Sequence, residues 1–182
     1  MSGVMRKKAL MTIVAASQVF LIAATSAADL EFKGAKIGQA FTETDRFSCE
    51  NRKTSMGDAV CHLPYGHADS IAGQHADVVV YLLRAKVSAI YLKFSSDGYD
   101  AVKAALSAKY GAGKSKKTIL QNGLGAVFEN ETTLWTRPDG ILGAERYTGS
   151  VSSGSVIMQS IESLDTSRTR RQEQEKQNAN DL

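Results

Sequence analysis

The run Asp77-Val78-Val79-Val80-Tyr81-Leu82-Leu83-Arg84-Ala85-Lys86-Val87-Ser88-Ala89-Ile90-Tyr91-Leu92-Lys93-Phe94-Ser95 decides the fold. Its first part, to Leu83, is rich in β-branched and aromatic side chains, which fit a pleated, half-buried surface. Arg84-Ala85-Lys86 is short and polar enough for a tight reversal, so the two apolar halves form a hairpin. In the second half Ile90, Leu92 and Phe94 alternate with Ala89, Tyr91 and Lys93. That period of two sends the first set into a core and leaves Tyr91 and Lys93 facing outward.

Immediately downstream the period changes. Tyr99, Val102, Leu106 and Tyr110 recur at three- and four-residue steps, and Ala101, Ala104, Ala105 and Ala108 keep the helix slim enough to approach a sheet. The spacing predicts a helix over 98–110, capped by Asp97 and stopped by Gly111. Further on, strands are expected over 118–121, 125–129, 132–137, 141–147 and 155–161, with Pro138-Asp139-Gly140 as the turn between the third and fourth. Upstream, Ser70 to Gly73 reads as a short strand, 50–70 as loop, and 30–48 as a short strand through Gly38 followed by a short helix near 39–45. The order of elements is α+β: an antiparallel sheet with a helix packed on one face. From Ser163 the apolar content collapses, so 163–182 is a polar tail, helical or disordered, or a segment that orders on a partner.

The N-terminus reads as an export signal. Arg6-Lys7-Lys8 precedes an apolar run from Ala9 to Ala24, and Thr25-Ser26-Ala27 supplies the small residues a signal peptidase requires. Residues 1–28 are therefore expected to be removed, with cleavage after Ala27 or Ala28, leaving a single domain over 29–162 and the tail. The apolar run is too short for a comfortable membrane span and a cleavage site follows it, and no cysteine stands at that site, so neither a spanning nor a lipid anchor is expected. The mature chain is expected to be soluble and periplasmic.

Export also resets the charge. The chain has 22 Lys and Arg against 19 Asp and Glu, and the three surplus cations all lie in the signal. The mature chain is balanced, which excludes the standing positive field that nucleic acid binding needs. Two cysteines, Cys49 and Cys61, remain in an oxidising compartment, and an even count there reads as a disulfide. Closing the polar loop between them is worth roughly 3 kcal/mol in the chain-entropy model.

Catalytic signatures are lacking. Gly111-Ala112-Gly113-Lys114-Ser115 ends like a phosphate-binding loop, but Ala108 stands where the first glycine belongs and the segment follows a helix instead of opening one. The serines at 150, 152, 153 and 155 lack the glycine offsets of a nucleophile elbow. His62, His67 and His75 fall close together near Asp69 and Asp77, weak candidates for zinc or copper at spacings that match no familiar ligand set. No cofactor is expected. Tyr91 and Lys93 on the hairpin, with Trp135 and Arg137 on a later strand, form a candidate aromatic and basic contact surface, unless Trp135 packs beneath the helix.

A hairpin running into Phe94, a capped helix ending Lys109-Tyr110-Gly111 and a Trp-bearing strand resemble the β-lactamase-inhibitor-protein-like fold, shared by small outer-membrane assembly lipoproteins of the SmpA/OmlA type. The likeness spans about residues 70–161 and departs from those lipoproteins in lacking their lipid-bearing cysteine. It implies an envelope module that binds other proteins through variable surfaces, and it transfers no functional residue. The expected function is thus non-catalytic binding of another envelope protein through an open sheet face. The alternatives are a periplasmic enzyme without a recognisable signature and a metal carrier using the histidine loop.

Overall fold

The computed structural model describes residues 28–180 apart from Asn122 and Leu124, so the expected export signal lies outside the described residues, except for Ala28. The chain is α+β, as its patterning predicts. Strands β1 (Glu31–Phe32) and β2 (Ala35–Lys36) form a small hairpin. The main sheet contains β3 (Ser48–Glu50), β4 (Ala59–His62), β5 (Asp69–Ile71), β6 (Gln74–Leu83), β7 (Lys86–Ser95), β8 (Lys114–Gln121), β9 (Val127–Arg137), β10 (Gly140–Glu145) and β11 (Ser153–Ser160). Two helices, α1 (Tyr99–Tyr110) and α2 (Ile161–Asn180), follow β7 and β11. The sheet order is β3-β4-β6-β7-β11-β10-β9-β8, with β5 beside the start of β6, and every pairing is antiparallel.

The β6–β7 hairpin closes through Arg84 and Ala85, whose φ angles of 51° and 61° give the doubly left-handed turn that matches strand twist. A bulge at Tyr81/Leu82 accommodates Ser88, whose hydroxyl donates to the carbonyls of Met56 and Tyr81. From Ile90 onward the alternation behaves as predicted: Ile90, Leu92 and Phe94 are buried, Tyr91 is half-buried and Lys93 is exposed, whereas Ala89, expected on the outward side, is fully buried. Opposed positions place Val78 and Val80 of β6, Val156 and Met158 of β11, and Leu142 of β10 on that same inner face. Against it lie Tyr99, Val102, Leu106 and Tyr110 of α1, the expected stripe, together with Leu30 and Ile37 from the N-terminal segment.

Several expectations are corrected. No helix forms over 39–45; Gly38 and Gln39 instead exchange backbone hydrogen bonds with Val87. Residues 59–62, expected to be loop, form β4, because pairing with β6 buries Val60 and Cys61. The two short strands expected on either side of Asn130-Glu131 are one continuous β9. Both polar residues are buried there because each finds partners: Asn130 bonds the Tyr147 backbone and Glu145, and Glu131 meets Lys103. Asp97 lies in a 3-10 turn over Ser96–Gly98, and α1 begins after Gly98 without a side-chain cap. Gly111 ends α1 at φ 85°, as expected of a helix stop.

The polar tail is a helix with a seat. Ser160 caps α2 by accepting the Ser163 amide at 3.0 Å. Ser163, Ser167 and Arg170 share one helical face and point at the loop between the cysteines. Ser163 donates to the Met56 carbonyl at 3.1 Å, Ser167 to that of Ser55 at 2.6 Å, and Arg170 to those of Thr54 and Gly57 and to the Asp58 carboxylate. The expected disulfide joins Cys49 to Cys61, directly opposite one another on β3 and β4. Their loop also folds on itself, with the Thr54 hydroxyl accepting the amides of Met56 and Gly57.

The carbonyls that hold α2 thus belong to a loop pinned by the disulfide. Reduction should lower global stability by a few kcal/mol and should release α2 first, read as faster amide exchange over residues 161–170 than over β7. Arg170→Ala should reproduce the faster exchange in α2 at a cost of about 1–3 kcal/mol, confined to that helix. Unchanged protection of α2 in both cases would separate the helix from the loop.

Candidate functional site

The sheet has two faces, and α1 with the N-terminal segment covers one of them. On the other, the register aligns Val79, Tyr91, Ile157, Gly143 and Leu134 in a row across β6, β7, β11, β10 and β9. Val79, Tyr91 and Ile157 are half-buried by their neighbours, and Leu134 is 49% exposed. A Cβ at Gly143 would lie 3.3 Å from both Ile157 and Leu134, so the glycine lets those side chains close over it and keeps the row continuous. Tyr81 flanks the row, two pairings closer to the β6–β7 turn on the same face. Burial pushes the Tyr91 phenol above its ordinary value; a hydrogen bond to Ser155 offsets part of this, and Tyr81 and Glu145 add to the rise. The ring is therefore neutral at physiological pH, an apolar body with a polar tip.

Lys93 lies on the same face, directly opposite Asp77, beside the apolar row. At the other end of the sheet α2 forms a wall. Gln159, on this face, donates to Ser163 and Ser167, and Leu164, Arg168 and Arg171 border a cleft of about 420 Å³.

Trp135 and Arg137 do not join this surface. Trp135 is 3% exposed, on the face beneath α1, and its indole N–H donates to the Gly111 carbonyl at 2.7 Å. It fills the space left by Gly113, where a Cβ would fall 2.6 Å from the indole. Arg137, on that same side, donates to the Ala28 carbonyl at 2.8 Å and lies over the Tyr110 ring. Arg137 ties the N-terminal segment to α1 and β9, and Trp135 ties β9 to the end of α1. The alternation along β9 was legible in the sequence, but its phase relative to β7 depends on the β10 and β11 pairings.

His62, His67 and His75 line one cleft of about 380 Å³ with Pro64, Tyr65 and Asp77. Among the described residues, no three of His, Cys, Asp and Glu are grouped so as to hold a metal ion. Ser150 hydrogen-bonds Ser152 and Ser153 where the chain enters β11, and Ser155 shares a bond with Thr148.

A polar cluster missed in the sequence joins α1 to β9. Lys103 and Arg146 approach Glu131, Arg146 also bonds Asp100 at 2.7 Å and lies over the Tyr99 ring, and the Tyr99 hydroxyl contacts Thr133. Its charges are mutually satisfied and it lines neither cleft described above, so its chemistry is that of a fastener. The hydrogen bond from Lys103, opposed by burial and helped by Ser115 and Arg146, holds the Glu131 carboxyl below the usual carboxylate range. A lowered folded-state value stabilises above the unfolded value and is lost as pH falls through the folded one. Glu131→Gln should therefore be less stable than the parent at neutral pH, and the gap should close below about pH 4. Denaturant titrations across that range test this; a gap that persists in acid would assign the effect to packing.

No protein-family model, curated protein or solved structure matches the chain.

Proposed function

We propose that the protein is an exported, non-catalytic module that docks another protein of the bacterial envelope on its open sheet face. The observation that carries this reading is the row Val79, Tyr91, Ile157, Gly143 and Leu134, an aromatic and aliphatic stripe spanning five strands on the face opposite α1. Surfaces of this kind, ringed by polar groups, mark interaction sites. A periplasmic address is supported by the basic and apolar order of the first residues and by the Cys49–Cys61 disulfide. Among the described residues no helix is long and apolar enough to cross a membrane. The resemblance of residues 70–161 in element order to small envelope assembly modules would imply the same class of role.

Tyr91→Ala should leave the circular dichroism spectrum and melting temperature near those of the parent while weakening recovery of a crosslinked periplasmic partner. Leu92→Ala, on the opposite face of β7, should cost roughly 2–5 kcal/mol through a core cavity. Equal partner recovery by the parent and a folded Tyr91→Ala variant would remove the open face from the binding site.

The Ala28 carbonyl held by Arg137 also distinguishes the two cleavage positions. Removal of residues 1–27 keeps that contact, whereas cleavage after Ala28 deletes it. N-terminal sequencing of exported protein is expected to begin at Ala28; a start at Asp29 would show that the clamp is dispensable.

A further inference from the structure

We propose that β8 is a strand-addition site for an extended, acidic segment of another protein. This site uses the edge of the sheet and not its open face, and it stands independently of the reading above. The two edges of the sheet are unlike. At one end β3 is three residues long and is tied to its neighbour by the disulfide, so it offers little backbone to a newcomer. At the other end β8 runs for eight residues, every one exposed, in uninterrupted register from Lys114 opposite Leu134 to Gln121 opposite Val127. No bulge or proline interrupts it, and among the described residues no strand pairs with its outer side. Half of its backbone donors and acceptors thus face outward in the spacing an added strand requires.

Lysine on an edge strand is a common guard against indiscriminate pairing. On β8 the lysines do more than repel, because their charges are only partly answered. Lys117 bonds Glu129 at 2.7 Å, whereas Lys114 and Lys116 have no acidic partner among the described residues, and β8 contains no acid. A second copy of this edge would bring three more lysines to the same line. An acidic strand would supply the missing counter-charges, and close opposite pairs across strands are favourable. Past Lys117 the character changes. Ile119 is 67% exposed, and Leu120 borders a cleft of about 440 Å³ with Phe128, Tyr147 and Val151. The occupant is therefore acidic where it runs beside Lys114 to Lys117 and apolar where it runs beside Ile119 and Leu120.

The probe is a synthetic peptide as long as β8, alternating glutamate with threonine in one half and valine with threonine in the other. Titrated into the purified protein, it should saturably shift the backbone amide resonances of β8. A version N-methylated at alternate amides, and one with lysine in place of glutamate, should each bind about tenfold more weakly or worse. The K114E/K116E double variant should weaken the parent peptide to the same extent, and Y91A should leave its affinity unchanged. The proposal is overturned if the parent peptide gives no shift, if the N-methylated or lysine version binds as well, or if the shifts fall on Val79, Tyr91 and Ile157 and not on β8. Concentration-dependent dimerisation through β8 would also overturn it, by making a second copy the occupant.

Discussion

The pairing of β6 with β7 is the constraint on which the other elements depend. Both strands are ten residues long, they lie inside the sheet, and a left-handed two-residue turn sets their register. Because side chains alternate with a period of two, that register fixes which side of every other strand can be apolar. β11 takes its phase from β7, β10 from β11 and β9 from β10, so Trp135 is committed to the helix side by a choice made in the hairpin. α1 follows β7 through a single 3-10 turn and has little freedom except to cover that inner face.

How much was legible follows from how local each signal is. The hairpin, the stripe on α1 and the Pro138-Asp139 turn declare themselves within a few residues, and all three form. β4 does not: four residues containing one histidine and one cysteine become a strand only because β6 presents an unpaired edge. Asn130 and Glu131 look like turn residues until Tyr147, Glu145 and Lys103, distant in sequence, arrive to satisfy them. The open face was legible in part. Tyr91 and Lys93 follow from the period of β7, whereas Ile157 and Leu134 join them only through three further pairings. The seat of α2 was hidden for a different reason. Amphipathicity arguments look for apolar stripes, and the stripe formed by Ser163, Ser167 and Arg170 is polar.

Outside the core, the molecule divides its surfaces by chemistry. The inner face is consumed by α1 and the N-terminal segment, with the Glu131 cluster fastening one end and the Trp135 and Arg137 hydrogen bonds the other. The opposite face keeps an apolar row bordered by α2 at one side and by charged positions at another. Binding on such a surface, as proposed, would need no reactive group; it would need shape, a few anchoring rings and a rigid backing, which a well-packed inner face provides.

The polar seat of α2 has a consequence for how the molecule responds to heat. An apolar helix that leaves its groove exposes surface that water resists, so its departure is coupled to collapse of the whole core. α2 exchanges hydroxyl and guanidinium bonds to carbonyls for bonds to water, a trade that is nearly even per bond. It can therefore open as a separate cooperative unit well below the temperature at which the sheet melts, leaving no adhesive scar. Calorimetry of this chain should then show two events of unequal size, a small early one at the C-terminal helix and a large late one at the sheet.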